Sequence, residues 1–276
     1  MCGSDSADRR TLPLRQRVSV WMGILGVTLG LAVHFSPLDR ELLLKVHRLN
    51  GLPDQLWLFL TQMGDSAIVL SLLLSVAGGS SWRRALVLKT WLLGAVASPL
   101  LKSWWDTPRP LSVLDPALLH VVGHPPAGHH AMPSGHSMAA AALAGLLIVF
   151  WARQRPVLRI SIAGVAVLIA LSRVAVGAHW PGDALAGLGL GALLVGMAQA
   201  WESRRPWSRV LSMPWAVRGV VVVQIVLAFV LWRQPQEGWG MGLASGVTVA
   251  FAAGSLLRLR CRTSRPDCSS AGAGDV

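Results

Sequence analysis

The chain has 276 residues, 53% of them hydrophobic and only 14% charged, against roughly a quarter charged in an ordinary soluble domain. That deficit recurs in stretch after stretch, so the composition excludes a soluble globular protein, and it excludes a disordered one because low hydrophobicity is the precondition of disorder. The net charge of +12 is carried by short basic clusters between apolar runs with no RNA- or DNA-binding signature, which excludes nucleic acid as a partner and predicts a multi-span membrane protein.

A bilayer core about 30 Å thick calls for about 20 mostly apolar helical residues. A basic tail, residues 1–17, comes first; Cys2 follows the initiator Met with no apolar stretch before it, so no cleaved signal or lipoprotein site is read there. The first apolar run covers 18–35. An apolar stretch from Leu52 to Met63 then precedes a short second run at 64–80, and either extends it or lies flat at the interface. Further runs follow at 85–101, 137–151, 158–176, 183–200, 217–232 and 240–257. Eight spans bring both termini to one side. That side collects eighteen of the 25 Lys and Arg, whereas the other holds Arg40, Lys45, Arg48, Lys102, Arg109, Arg173 and Arg233. The positive-inside rule therefore predicts a cell (inner) membrane protein with both termini cytoplasmic. The three cysteines, Cys2, Cys261 and Cys268, fall on the reducing side, and no disulfide framework is expected. Trp82, Trp104, Trp105, Trp151, Trp180, Trp201, Trp232 and Trp239 sit at predicted helix ends and read as headgroup anchors. The pattern Gly187-x-Gly189-x-Gly191 and the run Ala139 to Ala142 read as close helix packing.

The chemistry gathers on the outward side, where all eight histidines lie. Lys102, Arg109 and Arg173 sit at or beside membrane ends, where an ionisable group is costly unless paired or functional. Three cations and two histidines at one membrane face predict a pocket for a multiply charged anion. Lys102 supplies a point charge and the two arginines planar forks; backbone N–H groups at Ser134 and Gly135 complete the cradle, with Pro133 fixing the turn. His179 and Asp183 are four apart at the start of the sixth span, with Pro181 in its first turn. A carboxylate there can orient the imidazole through one nitrogen while the other is left free as a nucleophile. Asp106 either pairs with Arg109 or Lys102 or is a solvated loop acid, and Ser172 either donates to the anion or caps. His124, His129 and His130 occupy a Pro- and Gly-containing loop and read as residues that cover the pocket or bind headgroups, since neither a cysteine nor a fixed ligand spacing supports zinc. His34, His47 and His120 read as interfacial.

Three blocks now stand in order. Lys102-Ser-Trp-Trp-Asp-Thr-Pro-Arg109-Pro110 fits Lys-x6-Arg-Pro, Pro133-Ser134-Gly135-His136 is Pro-Ser-Gly-His, and Ser172-Arg173-x5-His179-x3-Asp183 fits the third element. Over about residues 85–200 the chain thereby resembles the type 2 phosphatidic acid phosphatase (PAP2) family, which shares its site with vanadium haloperoxidases. The resemblance implies an all-α polytopic membrane bundle: a six-helix core in 18–201, then two additional transmembrane helices and a basic tail in 202–276 that have no counterpart in that core. It implies His179 as the nucleophile of a phospho-histidine intermediate, Asp183 as its orienting partner and His136 as the general acid that later helps activate water. Lys102, Arg109, Ser134, Gly135 and Arg173 would bind phosphate, with neither metal nor other cofactor. The implied function is hydrolysis of a lipid phosphate or pyrophosphate at the outer membrane face, with undecaprenyl pyrophosphate, phosphatidylglycerol phosphate, phosphatidic acid and lipid A phosphates as candidates. Transfer of the phosphoryl group to a second lipid, and a non-catalytic protein that binds anionic lipid, are the alternatives. The oligomeric state is not written in the sequence.

Overall fold

A computed structural model describes residues 12–48, 51–152 and 154–233, together with scattered positions between Gly246 and Gly254. Every regular element among the described residues is helical. In chain order the α-helices are α1 (Leu12–His34), α2 (Leu38–Arg48), α3 (Asp54–Met63), α4 (Ser66–Ala77), α5 (Ser81–Trp105), the short α6 (Pro110–Val113), α7 (Gly135–Leu147), α8 (Pro156–Ala175), α9 (Pro181–Arg204), the short α10 (Ser208–Leu211) and α11 (Pro214–Arg233). Six of the helical stretches are long and apolar enough to cross a membrane: those at Arg17–His34, Ser81–Val113, Gly135–Ala152, Pro156–Ala175, Pro181–Arg204 and Pro214–Leu231. The eighth expected span, 240–257, lies outside the described residues apart from isolated positions, as do all three cysteines.

The second expected span takes a different form. Instead of one helix over 64–80, α3 and α4 meet at a bend of 58° and only together have the length and apolarity of a membrane span. The physical cause is Asp65, whose side chain accepts the N–H groups of Ala67 at 2.8 Å and Ile68 at 3.4 Å. An N-cap starts a new helix rather than continuing an old one. Gly64 lets the bend pack tightly, since a Cβ there would come within 2.8 Å of Ile169 Cγ2 and 3.1 Å of the His136 Cβ.

Glycine sets the other close contacts. Along α9, Gly189 meets Gly26 and Val27 of α1, while Gly187 and Gly191 meet the backbone of α7 at Ser134 and Met138. The alternation expected to pack helices thus faces two different neighbours. Because Gly23, Gly26 and Gly30 lie against Leu193, Gly189 and Ala186 in that order, α1 runs antiparallel to α9, whereas α7 runs parallel to it. A core of Val69, Leu73, Leu86, Ala142, Leu146 and Val195 joins α4, α5, α7 and α9. Helix α11 docks on α4, where the buried Gln224 donates to Ser75 Oγ at 2.6 Å and Ser71 O at 3.3 Å.

Chain direction then brings six helix ends to one end of the bundle: the C-termini of α1, α5 and α8 and the N-termini of α4, α7 and α9. At the far end, two cations expected among the surface clusters turn inward. Lys89 is fully buried, donates to Glu202 Oε2 and Arg205 O at 2.6 Å each, and lies 5.0 Å from the ring centroids of both Trp201 and Trp207. Arg84 donates to Gly78 O at 2.6 Å and Leu211 O at 2.7 Å. A charge leaves water only when it is paired and hydrogen-bonded in this way. Trp201 accordingly closes a buried ion pair here.

Candidate active site

Backbone hydrogen bonds stitch the three sequence blocks together. Arg109 N donates to Gly128 O at 2.8 Å and Ala131 N to Thr107 O at 2.9 Å, which joins the first block to the loop before the second. Ser134 N donates to Asp183 O at 3.1 Å, joining the second block to the third. Trp180 Nε1 donates to Pro108 O at 2.8 Å and closes the triangle. Trp180 was expected to anchor in headgroups; it holds two motif loops in register instead. Ser134 also caps α7, its side chain accepting Ser137 N–H at 3.4 Å.

Lys102 lies in the last turn of α5, His136 in the first turn of α7 and Arg173 near the end of α8. Arg109, Arg173, His179, Asp183 and Ser134 are buried, with Lys102 and His136 partly so. Arg109 Nη1 donates to Ala178 O at 2.9 Å and lies 3.4 Å from His179 Nε2. On the other side of the ring, His179 Nδ1 is 3.4 Å from Asp183 Oδ2, an oxygen that also accepts Trp180 N–H at 3.0 Å. A carboxylate accepts only, so the proton sits on Nδ1 and the Nε2 lone pair faces the guanidinium. His179 lies between α8 and α9, outside both spans. Burial first, then the charges of Arg173, Arg109 and Lys102 and finally His136, hold its imidazole well below the ordinary histidine value, which keeps it neutral.

Arg173 donates to Thr61 Oγ1 on α3, a neighbour that carries no sequence signal of its own and is brought there by the α3–α4 bend. Its Nε is buried with no protein acceptor, as a group that awaits an anion would be. The N–H of Ser134 is spent on Asp183 O, so the cradle expected from Ser134 and Gly135 is left to the N–H groups of the first turn of α7, from Gly135 onward.

Several neighbours depart from expectation. Asp106 pairs with neither Arg109 nor Lys102; its Oδ1 lies 3.3 Å from His129 Nδ1 and 3.2 Å from His130 Nδ1, all three residues being exposed. Ser172 donates to Ile169 O at 2.6 Å within its own helix. His47 is buried, not interfacial, with its Nε2 donating to Val174 O at 3.0 Å. His34 also turns inward, 3.0 Å from Asp39. Of the three histidines read as interfacial, only His120 keeps an exposed setting, 2.8 Å from Asp54. Among the described residues no three His, Cys, Asp or Glu side chains gather as a metal-binding set.

Beside the polar site lies an apolar cavity of about 250 Å³. Ser98 and Gly135 line it near the site, and Gly94, Met138, Leu194 and Leu146 line it further along, so it runs between α4, α5, α7 and α9.

Residues 83–207 match the PAP2 superfamily. Phosphatidylglycerophosphatase B of Bacillus subtilis is 30% identical over 157 residues, which are 52% of this chain and 73% of that relative. The chain belongs to the PAP2 superfamily. A second relative, the lipid A 1-phosphatase of Rhizobium etli, is 28% identical over 201 residues, 65% of this chain and 82% of its own. The crystal structure of a transmembrane PAP2 type phosphatidylglycerolphosphate phosphatase from Bacillus subtilis shares the fold, with a TM-score of 0.51 and 22% identity over 68% of this chain and 98% of that one. As a PAP2 protein the chain is a multi-span membrane enzyme of the lipid phosphatase group.

Proposed function

We propose that this enzyme hydrolyses a lipid phosphate through a phospho-histidine on His179, at the outer face of the cell membrane and without a metal. The observation that carries the reading is the setting of His179: a buried neutral imidazole with Asp183 on Nδ1 and the guanidinium of Arg109 beside Nε2. Lys102, Arg109 and Arg173 hold the non-bridging oxygens and offset the charge that develops on them, with Gly135 N–H as a further donor. His179 Nε2 attacks phosphorus, the bond from phosphorus to the lipid oxygen breaks, and His136 gives its proton to the leaving alkoxide. Water then attacks the phospho-histidine and returns a proton to His136; the P–N bond breaks and inorganic phosphate leaves. Asp183 keeps the proton on Nδ1 throughout.

The apolar cavity supports a lipid as substrate, because it offers a slot for a hydrocarbon chain beside a site that reads only the phosphate. Phosphatidylglycerol phosphate is the first substrate of choice, with lipid A 1-phosphate, phosphatidic acid and undecaprenyl pyrophosphate as comparison arms. The outer face and the cytoplasmic termini rest on the distribution of Lys and Arg. On the same reading, 18–201 forms the catalytic core and 202–276 an addition to it.

The test uses detergent-purified enzyme in EDTA, with free phosphate and lipid products measured together. Wild type is expected to release phosphate and His179→Ala to lose at least about a thousandfold in kcat while folding normally, as removal of a nucleophile does. Residual hydrolysis near the wild-type level would overturn the nucleophile assignment. A requirement for added metal would overturn the metal-free mechanism, and a phosphorylated second lipid in place of free phosphate would establish transfer.

A further inference from the structure

Asp183 has two oxygens, and the chemistry above uses one. Its Oδ2 takes Trp180 N–H and faces His179, whereas Oδ1 is buried with no hydrogen bond of ordinary length. His34 Nδ1, on the last residue of α1, stands 3.5 Å from Oδ1. The same nitrogen lies 3.0 Å from Asp39 Oδ2, and the other oxygen of Asp39 accepts Gly182 N–H at 2.7 Å. Facing two carboxylates, Nδ1 carries the proton. Asp39 thus ties down the first turn of α9 from a neighbouring helix, and His34 stands between it and Asp183. Neither residue belongs to the three sequence blocks.

The approach is built by small residues. A Cβ on Gly182 would stand 2.7 Å from the His34 Cβ and 2.8 Å from Gly30 O. Only bare backbone at these crossings brings the end of α1 against the start of α9. His34 is 12% exposed and Asp183 fully buried, so their interaction is little screened by water.

We propose that His34 is a positioning residue for the His179–Asp183 pair, its Nδ1–H bridging Asp183 Oδ1 and Asp39 Oδ2. A donor on Oδ1 fixes the plane of the carboxylate, which holds Oδ2 on His179 Nδ1 and leaves the Nε2 lone pair aimed at phosphorus. The proposal rests on His179 as nucleophile. An asparagine in place of His34 keeps an N–H donor close to where Nδ1 sits; an alanine removes it.

The experiment compares wild type, His34→Ala, His34→Asn and His179→Ala in detergent, measuring thermal stability, kcat and KM on the lipid phosphate that wild type hydrolyses best. His34→Ala is expected to lose about ten- to a hundredfold in kcat, the range seen when an outer partner of a site group is removed, with KM within about threefold of wild type. His34→Asn is expected to recover kcat to within about fivefold of wild type, because the donor rather than the ring is what Asp183 needs. A kcat for His34→Ala within about twofold of wild type, a loss carried wholly by KM, or equal impairment of both His34 variants in rate or in folding each overturns the role. A His179→Ala enzyme as active as wild type would overturn the nucleophile reading itself, and this proposal with it.

Discussion

His47 lies on α2, outside the membrane-crossing helices, and both of its ring nitrogens are engaged. Nε2 donates to Val174 O at 3.0 Å, and Nδ1 accepts His120 N–H at 3.1 Å. Only the neutral ring with its proton on Nε2 can do both. Burial, ahead of the other contributions, holds this imidazole below its ordinary value. The unfolded chain therefore takes up a proton as pH falls through about 6.5 while the folded protein does not, so stability is lost below that pH and regained above it. His47→Gln should flatten the fall in Tm between about pH 7.5 and 5.5 relative to wild type. His179, lowered in the same direction, contributes equally to both proteins and cancels from the comparison. An unchanged pH slope in the variant would show that His47 does not carry it. The sequence offered His47 as one more histidine near a membrane surface; the carbonyl it meets is 127 residues away, and nothing local marks the pair.

At the scale of the element, α9 is the helix on which the fold is assembled. Its Gly191 lies so close to α7 that a Cβ would meet the Ala141 Cβ at 2.7 Å and Ala142 N at 3.1 Å, atoms fixed by a helix backbone. Gly164 in α8 has nothing within 4 Å of an added Cβ. Gly191→Ala should therefore destabilise by about 1–3 kcal/mol, as overpacking does. Gly164→Ala should be neutral or gain about 0.5–1 kcal/mol from helix propensity. Thermal unfolding of the two variants in one detergent separates them; equal behaviour would mean that α9 is not held at this crossing. The small-residue rhythm of 187–191 was legible from the sequence as a packing surface. Which glycine faces α1 and which faces α7 was not, because that depends on where the partner helices lie around α9. The bend between α3 and α4 was half legible: Asp65 in an apolar run is a capping signal, but an unbroken hydrophobic stretch reads as one span by length.

Over the whole molecule, the apolar cavity starts at Ser98 and Gly135, beside the polar helix ends, and runs on between the helices of the bundle. A side chain introduced at Gly94 enters this cavity, because a Cβ there meets only Met138 Cε at 3.5 Å and Leu194 Cδ1 at 3.6 Å, ordinary contact distances. Gly94→Leu should lower kcat/KM for a long-chain lipid phosphate relative to a short water-soluble phosphate by about tenfold or more, since each buried CH₂ of a chain is worth about 0.8 kcal/mol. An unchanged ratio would mean that the hydrocarbon chain lies elsewhere, for instance against the lipid-facing side of α5. The polarity of the molecule agrees with this division of labour. Lys102, Arg109 and Arg173 gather at one end, and at the other Lys89 is locked to Glu202 between two tryptophans.

Composition and hydropathy by themselves determined that the chain lives in a membrane, and three short motifs determined the family and its chemical groups. Both signals are local: apolar runs of fixed length, and spacings of seven, three and four residues that a single loop or helix turn can hold. Tertiary structure alone decided the rest. It brought Thr61 to Arg173 and Asp39 to Gly182, set His34 beside Asp183, and spent the N–H of Ser134 on Asp183 O. These contacts join residues up to 149 positions apart, as His34 and Asp183 are. They exist because glycine on two or three helices at once lets backbones approach, a condition that no single stretch of sequence can state.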